Sequence, residues 1–413
     1  MIRYHASWVL PINEPPLHDA WVAVDRGRIV ALGRCTRRIG GVPPQAVDRR
    51  SSSEIDLGDA AILPGLVNAH THLELSYLAD QVPPASNFTT WIRQVIAARR
   101  ERPDPRRPEI LDAMQRAIRD AAVCGTAVVG DISNTLVSIP ALAGSPLAGV
   151  VFYELIRFNP SDAEALVRRA VDEIRAAHPA EPVRASLAAH APYSVAPLLL
   201  REIKKAVDRL AFVPCSVHVS ESIEEIEFIQ RGTGPWRTLL EELGAWDARW
   251  IVPGVSPVQY LDEAGFLDGR VLAVHGVQMT PADLSRLAAR GSTLVTCPRS
   301  NGHTGAGAPP LADFYRAGVR VAVGTDSLAS APDLNVFAEL ATMRALAPDV
   351  PAASLLESAT RHGAAALGFD ADYGTIEPGK RASLLAVTLP PRLADVEEYL
   401  VTGIQPDQIR WIE

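Results

Sequence analysis

The chain has 413 residues, with 48 Asp and Glu against 40 Lys and Arg, giving a net charge of −8. Acidic and basic residues are interleaved, so neither nucleic-acid backbones nor anionic membrane surfaces are favoured partners. No apolar run reaches the roughly eighteen residues of a membrane-spanning helix, and MIRYHASWVLPI at the start holds too short an apolar run for a signal peptide, so a cytoplasmic protein is expected.

In chain order, segment 1–60 carries short strand patterns, with WVAVDRGRIVALG reading as two strands joined by a turn at Arg26 and Gly27. From there, short apolar runs alternate with amphipathic stretches. Strands are expected at 62–69, 126–131, 149–155, 184–190, 212–218, 271–275, 292–297 and 320–325, with helices at 109–122, 161–178, 196–210, 223–231 and 281–290 between them. Such alternation describes βα units of a parallel sheet buried on both faces, and eight of them predict a (β/α)8 barrel of the TIM type. One barrel needs only about 250 residues. Segment 372–390, with its Pro/Gly turn signals, and the closing IRWIE add strands of their own. The expected architecture is therefore a barrel over 61–365 beside a small β-sandwich domain formed by both termini, 1–60 plus 366–413; two separate terminal extensions are the alternative. The Arg-rich run at 98–107 reads as a solvated helix end and loop, and Cys35, Cys124, Cys215 and Cys297 as buried thiols rather than a disulfide framework.

The chemistry concentrates at strand ends. His70 and His72 in NAHTHLELS lie two apart on an extended strand and so leave it on one face, which suits two ligands of one metal ion. Alone, the pair fits strand-end histidines without a metal equally well. His190, His218 and His275 close three further predicted strands, and Asp326 follows another in VRVAVGTD. Polar groups at the C-terminal ends of several strands are how such a barrel builds an active site. Together, His70, His72, His218 and Asp326 give three imidazoles and one carboxylate, a set suited to one divalent ion, zinc first, with iron or manganese as alternatives. A thiolate-free site at a barrel mouth leaves room for a water, whose pKa such an ion lowers from about 15.7 to about 7, and this implies hydrolysis.

Glu221, three residues beyond His218, can take a proton from such a water and pass it to a leaving group; the plainer reading is an acid at a helix start. His275, followed by Gly276, can hydrogen-bond the attacking water, or be structural. Only Lys204, Lys205 and Lys380 are present, none on a predicted strand, which favours one metal over a pair bridged by a carboxylated lysine.

With these residues in place, the chain resembles the amidohydrolase superfamily, specifically its mononuclear deaminase branch. The matching segments are PGLVNAHTHLE at 64–74, HVSES at 218–222, HGV at 275–277, CPRSN at 297–301, GTDSLAS at 324–330 and GTIEPGKRASLL at 374–385. The resemblance implies a metal held by His70, His72, His218 and Asp326, Glu221 as proton shuttle, and His275 with Asp326 beside the reactive water. Ser383 departs from it, standing where many relatives carry aspartate. Within the branch, HAPYS at 190–194 and FTTWI at 88–92 resemble the aminodeoxyfutalosine deaminases and the adenosine-type deaminases acting on thio-nucleosides, which makes His190 a substrate contact and Glu74 a ribose contact. Trp91, Arg299 and His303 are further candidate contacts, the last two equally readable as loop residues that satisfy the backbone. The long connection at 232–256 brings Trp236, Trp246 and Trp250, either as a cover for an aromatic base or as helix core.

The expectation is a metal-dependent hydrolytic deaminase that releases ammonia from an aminated heterocycle, a 6-aminopurine nucleoside such as aminodeoxyfutalosine first. Its partner is a small-molecule substrate, with no nucleic acid and no membrane, and a homodimer is left open. The alternatives are hydrolysis of another C–N or C–Cl bond, as in a cyclic amide or a triazine, and a metal-stabilised barrel that binds without turnover.

Overall fold

A computed structural model describes residues 1–35, 53–210 and 213–412. The stretch 36–52 of the expected terminal domain, the first residue of the strand expected at 212–218 and the last of IRWIE lie outside the described residues.

Two sheets carry the fold. The first five strands are β1 (Ile2–Val9), β2 (Leu17–Asp25), β3 (Arg28–Arg34), β4 (Ser53–Asp56) and β5 (Ala60–Pro64), and the last two are β14 (Leu384–Thr388) and β15 (Ile409–Ile412). They form one mixed sheet in the order β15-β14-β5-β1-β2-β3, with β4 also paired to β1. Both ends of the chain thus meet in one unit, as the terminal strand patterns suggested. The β2–β3 turn falls at Arg26 and Gly27, both with positive φ (49° and 71°), the geometry whose twist matches a two-residue hairpin. Tyr4, Val22, Ile29, Ile62, Leu384 and Ile412 share the apolar core of this sheet.

The eight strands between are parallel and run in chain order: β6 (Leu66–Thr71), β7 (Thr126–Ser133), β8 (Ala148–Leu155), β9 (Val183–Ala189), β10 (Cys215–Val219), β11 (Val271–His275), β12 (Thr293–Thr296) and β13 (Arg320–Val323). Thr71 of β6 bridges in parallel to Asp326 just beyond β13, bringing the first strand beside the last in a nearly closed barrel. Helices surround it, among them Pro108–Val123, Ala163–Ala176, Pro197–Arg209, Ile223–Arg231 and Pro281–Arg290, close to the expected spans. Their starts carry caps: Asp162 accepts from Ala165 N, and Thr280 forms a capping box with Asp283.

Two expectations need correction. The strand expected at 62–69 is two strands in different sheets, β5 and β6, parted at Gly65. Both are fully buried, so the run AILPGLV is apolar throughout and its hydropathy conceals the break. Second, Cys35 is exposed, whereas Cys124, Cys215 and Cys297 are buried. It follows β3 at the rim of the terminal sheet, with His5 Nδ1 at 3.4 Å from its Sγ.

At the joint, Gly65 N donates to Ser383 O at 2.9 Å, and a Cβ on Gly65 would lie 2.6 Å from Ala127 Cβ and 2.9 Å from Trp411 Cη2. The chain can change sheets there only without a side chain. Gly65→Ala is expected to cost about 1–3 kcal/mol through overpacking, read as a lower denaturant midpoint; an unchanged midpoint would show that the two sheets do not meet closely at this point.

Candidate active site

The C-terminal ends of the barrel strands converge on one cluster of titratable side chains. His70 closes the regular part of β6, and its carbonyl accepts from both Thr325 N (3.1 Å) and Asp326 N (3.0 Å). The backbone of one candidate residue thereby positions another. Gly324 is required for this approach, because a Cβ there would lie 2.7 Å from His70 Cβ and 2.8 Å from His70 O. Asp326 takes φ +59°, and its carboxylate is aimed by Ser300 Oγ, which donates to Oδ2 at 2.6 Å, and by Ser327 N, which donates to Oδ1 at 2.8 Å. Asp326 Oδ1 lies 3.5 Å from His72 Nε2 and 3.9 Å from His70 Nε2.

His218 is held by the neighbouring strand. His190 O accepts both His218 N (2.9 Å) and His218 Nδ1 (2.8 Å), which leaves His218 Nε2 free. Candidate ligand atoms of His70, His72 and His218 lie within 4.8 Å of one another, as do those of His70, His275 and Asp326. Both ring nitrogens of His70 are buried without a hydrogen-bond partner among the described residues. Burial, reinforced by the neighbouring imidazoles, keeps His70 and His275 well below the usual histidine range; burial brings His72 to about 3 and His218 to about 4. The rings are therefore neutral and offer lone pairs, so His70, His72, His218 and Asp326 are chemically able to hold a divalent cation.

Two further groups face this cluster. Glu221 Oε1 lies 3.5 Å from His275 Nε2, and burial together with the Asp326 charge raises the Glu221 carboxyl well above its usual range. Asn301 Nδ2 donates to His275 Nδ1 at 3.0 Å, so the His275 proton sits on Nε2, directed toward Glu221. The backbone beneath Glu221 is unusual: Ser220 has φ +52°, and the buried Glu225 carboxylate accepts from Ser220 N (3.0 Å) and Glu221 N (2.9 Å). Sequence reading passed over Glu225 because an acid in the first turn of a helix needs no special role.

The cluster opens into a cavity of about 330 Å³, lined by His72, His218, Glu221, His275 and Asp326 at one end and by Phe88, Trp91, Tyr193, Trp236 and Leu240 along its sides. Of the candidate substrate contacts, His190 and Trp91 line this cavity. Trp236 does as well, stacked on Tyr193 at 3.7 Å, whereas Trp246 and Trp250 pack against Phe158, a lining residue, and Phe228, and do not themselves line it. Glu74, Arg299 and His303 are not brought to it. The Glu74 carboxylate accepts from Ser133 Oγ, Asn134 N, Thr135 N and Thr135 Oγ1. Arg299 is paired with Glu339 at 2.7 Å and Asp333 at 2.8 Å, and His303 Nε2 bonds Val82 O at 3.0 Å. A different acid, Glu154 at the end of β8, reaches the cavity instead, with one oxygen accepting from Asn134 Nδ2 (2.9 Å) and the other 3.5 Å from His218 Nδ1. Its position within the apolar run VVFYEL gave no sign of this.

A ring of imidazoles and carboxylates at the C-terminal mouth of a (β/α)8 barrel, with a cavity above it, is the arrangement of a barrel hydrolase. The profile described as Amidohydrolase family matches residues 61–406, and the chain belongs to that family. It is 32% identical to the aminodeoxyfutalosine deaminase of Deinococcus radiodurans over 357 residues, covering 83% of this chain and 81% of that one. The Helicobacter pylori aminofutalosine deaminase in complex with methylthio-coformycin superposes with TM-score 0.83 at 27% identity, over 97% of this chain and 95% of that one. An adenosine deaminase from Xanthomonas campestris with bound zinc superposes with TM-score 0.81 at 27% identity, over 99% and 90%.

Two outcomes test this site. Glu225→Gln keeps the size of the side chain but removes one of the two acceptors that hold the Ser220–Glu221 backbone; kcat is expected to fall at least about tenfold with KM little changed, and equal loss in kcat from an Ala replacement of the neighbouring half-buried Glu224 would remove the case for Glu225. Burial and the Arg99 charge bring His190 to about 4. The native state therefore refuses a proton that the unfolded chain accepts below about 6.5. The resulting stability is complete above that pH and is lost as pH falls toward 4. Between pH 7 and 5 the denaturant midpoint of His190→Gln should drop less than that of the native protein.

Proposed function

We propose that this protein is a hydrolytic deaminase of an adenosine-type nucleoside, with aminodeoxyfutalosine as the first candidate substrate and one divalent ion, zinc first, held by His70, His72, His218 and Asp326. The observation that carries the reading is the buried His70 ring, with no partner for either nitrogen, set beside His72, His218 and Asp326 and faced by the Glu221–His275 pair. Family membership and deaminase-named relatives covering most of the chain support the reaction class. When bound, such an ion supplies Lewis acidity that makes water a nucleophile at neutral pH.

The chain's own groups account for the proton traffic. Water adds to the ring carbon bearing the amine. Glu221 takes one proton from that water and delivers it to the adjacent ring nitrogen as the C=N bond opens; the remaining hydroxyl proton then passes by way of Glu221 to the amine, so that the C–N bond breaks, ammonia leaves and a carbonyl remains beside a ring N–H. Its raised pKa suits the second half of this task, because burial favours the protonated carboxyl, the form that gives a proton to the leaving group. His275, with its proton on Nε2, donates to the attacking oxygen, and Asp326, fixed by Ser300 and Ser327, accepts from the same water. Trp91, Tyr193 and Trp236 supply flat apolar walls for a purine, and His190 offers a polar contact to it.

The test is ammonia release by zinc-loaded protein across aminodeoxyfutalosine, 5′-methylthioadenosine, S-adenosylhomocysteine and adenosine. Turnover of at least one is expected, and the chelated protein should lose it. Glu221→Gln should keep its metal content and lose about 10²–10⁴-fold in kcat; full turnover by this variant would end the proton-shuttle assignment.

A further inference from the structure

Glu339, on the helix Val336–Leu346, is a fully buried acid that the reaction does not use. Its two oxygens close on a single residue: Oε1 accepts from Arg299 Nε at 2.7 Å, and Oε2 accepts from Arg299 N at 3.2 Å. The guanidinium of Arg299 is committed on its other side as well. Nη2 donates to Asp333 O at 3.0 Å and to Asn335 O at 3.3 Å, and Nη1 lies 2.8 Å from Asp333 Oδ1. Neither Arg299 nor Glu339 lines the cavity.

What this pair holds is the short helix Pro298–Thr304. Cys297, at its start, makes no side-chain capping bond, and the first N–H groups of a helix have no partner within it. The Glu339 carboxylate supplies the missing acceptor from a different helix. At the other end, Gly305 takes φ +77° and its N donates to Asn301 O. The two residues after Arg299 face the reacting groups: Ser300 Oγ donates to Asp326 Oδ2 at 2.6 Å, and Asn301 Nδ2 donates to His275 Nδ1 at 3.0 Å. Both have short, fully buried side chains, so the aim of each bond follows from where the helix sits. Net stability is a poor account of the pair, because desolvation offsets the attraction in a buried ion pair. Direction is a better one, since the planar fork of an arginine fits a carboxylate in a fixed orientation.

We propose that Arg299 and Glu339 are positioning residues of the active site: their clamp fixes the helix Pro298–Thr304 and, through Ser300 and Asn301, sets the direction of the Asp326 carboxylate and the tautomer of His275. The inference rests on the deaminase reading for the roles of Asp326 and His275. Neither clamp residue touches the reacting atoms; each acts through a neighbour. Loosening the clamp frees the Asp326 carboxylate to turn away from His70 and His72, and it withdraws the donor that keeps the His275 proton on Nε2. Metal affinity and kcat therefore fall together, while KM, set by cavity walls that the clamp does not reach, holds.

The experiment uses Arg299→Lys, which keeps the charge and loses the fork, and the double variant Arg299→Met with Glu339→Leu, which removes both charges so that neither is left buried alone. The control is Asp262→Ala, which takes from Arg286 and Arg290 the acid they share in another ion-pair group, remote from the reacting residues. Thermal midpoint, zinc affinity by competition with a chelator, and kcat and KM for ammonia release are measured on each. Both clamp variants are expected to lose about tenfold or more in zinc affinity and in kcat, the scale on which outer-shell partners act, with KM little changed. The control should lose thermal stability alone. In a clamp variant that folds, a loss below tenfold in either quantity overturns the inference, and so does an equal loss in the control; if the double variant does not fold, Arg299→Lys decides. If the native protein releases ammonia from no compound, the deaminase reading falls and zinc affinity alone decides: a loss of about tenfold or more sustains the clamp, and a smaller one overturns it.

Discussion

The whole site depends on the seam where the last barrel strand meets the first. Asn68, fully buried in β6, spans that seam with both ends of its amide: Nδ2 donates to Thr325 Oγ1 at 2.7 Å, and Oδ1 accepts from Thr325 N at 3.1 Å. One residue further, His70 O accepts Thr325 N and Asp326 N. These bonds lie in a water-free interior, where a polar group left unpaired is costly and a satisfied one is correspondingly rigid. They tie residues 68–71 to residues 325–326 across more than half of the chain, through backbone groups and the short, buried side chains of Asn68, Thr71 and Thr325. The distance between the first two histidines and the aspartate is therefore a property of barrel closure. Any change that opened the seam would disperse the site before it disturbed the individual strands.

The same strategy repeats around the rim. His190 O holds His218 twice, Glu225 holds the left-handed turn under Glu221, and Asn301 fixes the tautomer of His275. His218, Glu221, His275 and Asp326 are thus each held by a neighbouring backbone or polar side chain, the kind of support pre-organisation demands. The electrostatic cost is visible in the direction of the shifts: burial pushes imidazoles down and carboxyls up, so that the cluster resists charge of either sign. A divalent cation, were one held by these groups, would reverse that balance by stabilising carboxylate anions and accepting imidazole lone pairs.

The strand ends were legible in the sequence because they carry two signals at once, an apolar run and a polar residue that terminates it. His70, His72, His218, His275 and Asp326 all have this form, and the structure gathers all five. What the sequence concealed falls into two kinds. The split between β5 and β6 was invisible because two strands buried on both faces have the same hydropathy as one long strand. Of the cavity walls, Trp91, His190 and Trp236 were marked in the sequence, but the remainder was hidden because it is assembled from the Phe88–Arg100 helix, the loop after β8 and the helix Pro235–Glu242, elements without a shared spacing. Glu74 illustrates the hazard: two residues beyond His72 in a chemically rich motif, its carboxylate is consumed by four donors of the next strand's loop. Proximity to a motif in sequence says where the backbone goes, not which way a side chain turns.

This division of labour has a consequence for how such a protein changes substrates. The reacting end is built from strand termini locked to one another by backbone bonds, so a substitution there disturbs the barrel itself. Trp91 and Arg99 on one helix, Trp236 on another and Arg157 in a loop all sit outside the barrel strands, where a residue can be exchanged without touching the seam. Selectivity can therefore drift while the chemistry stays fixed.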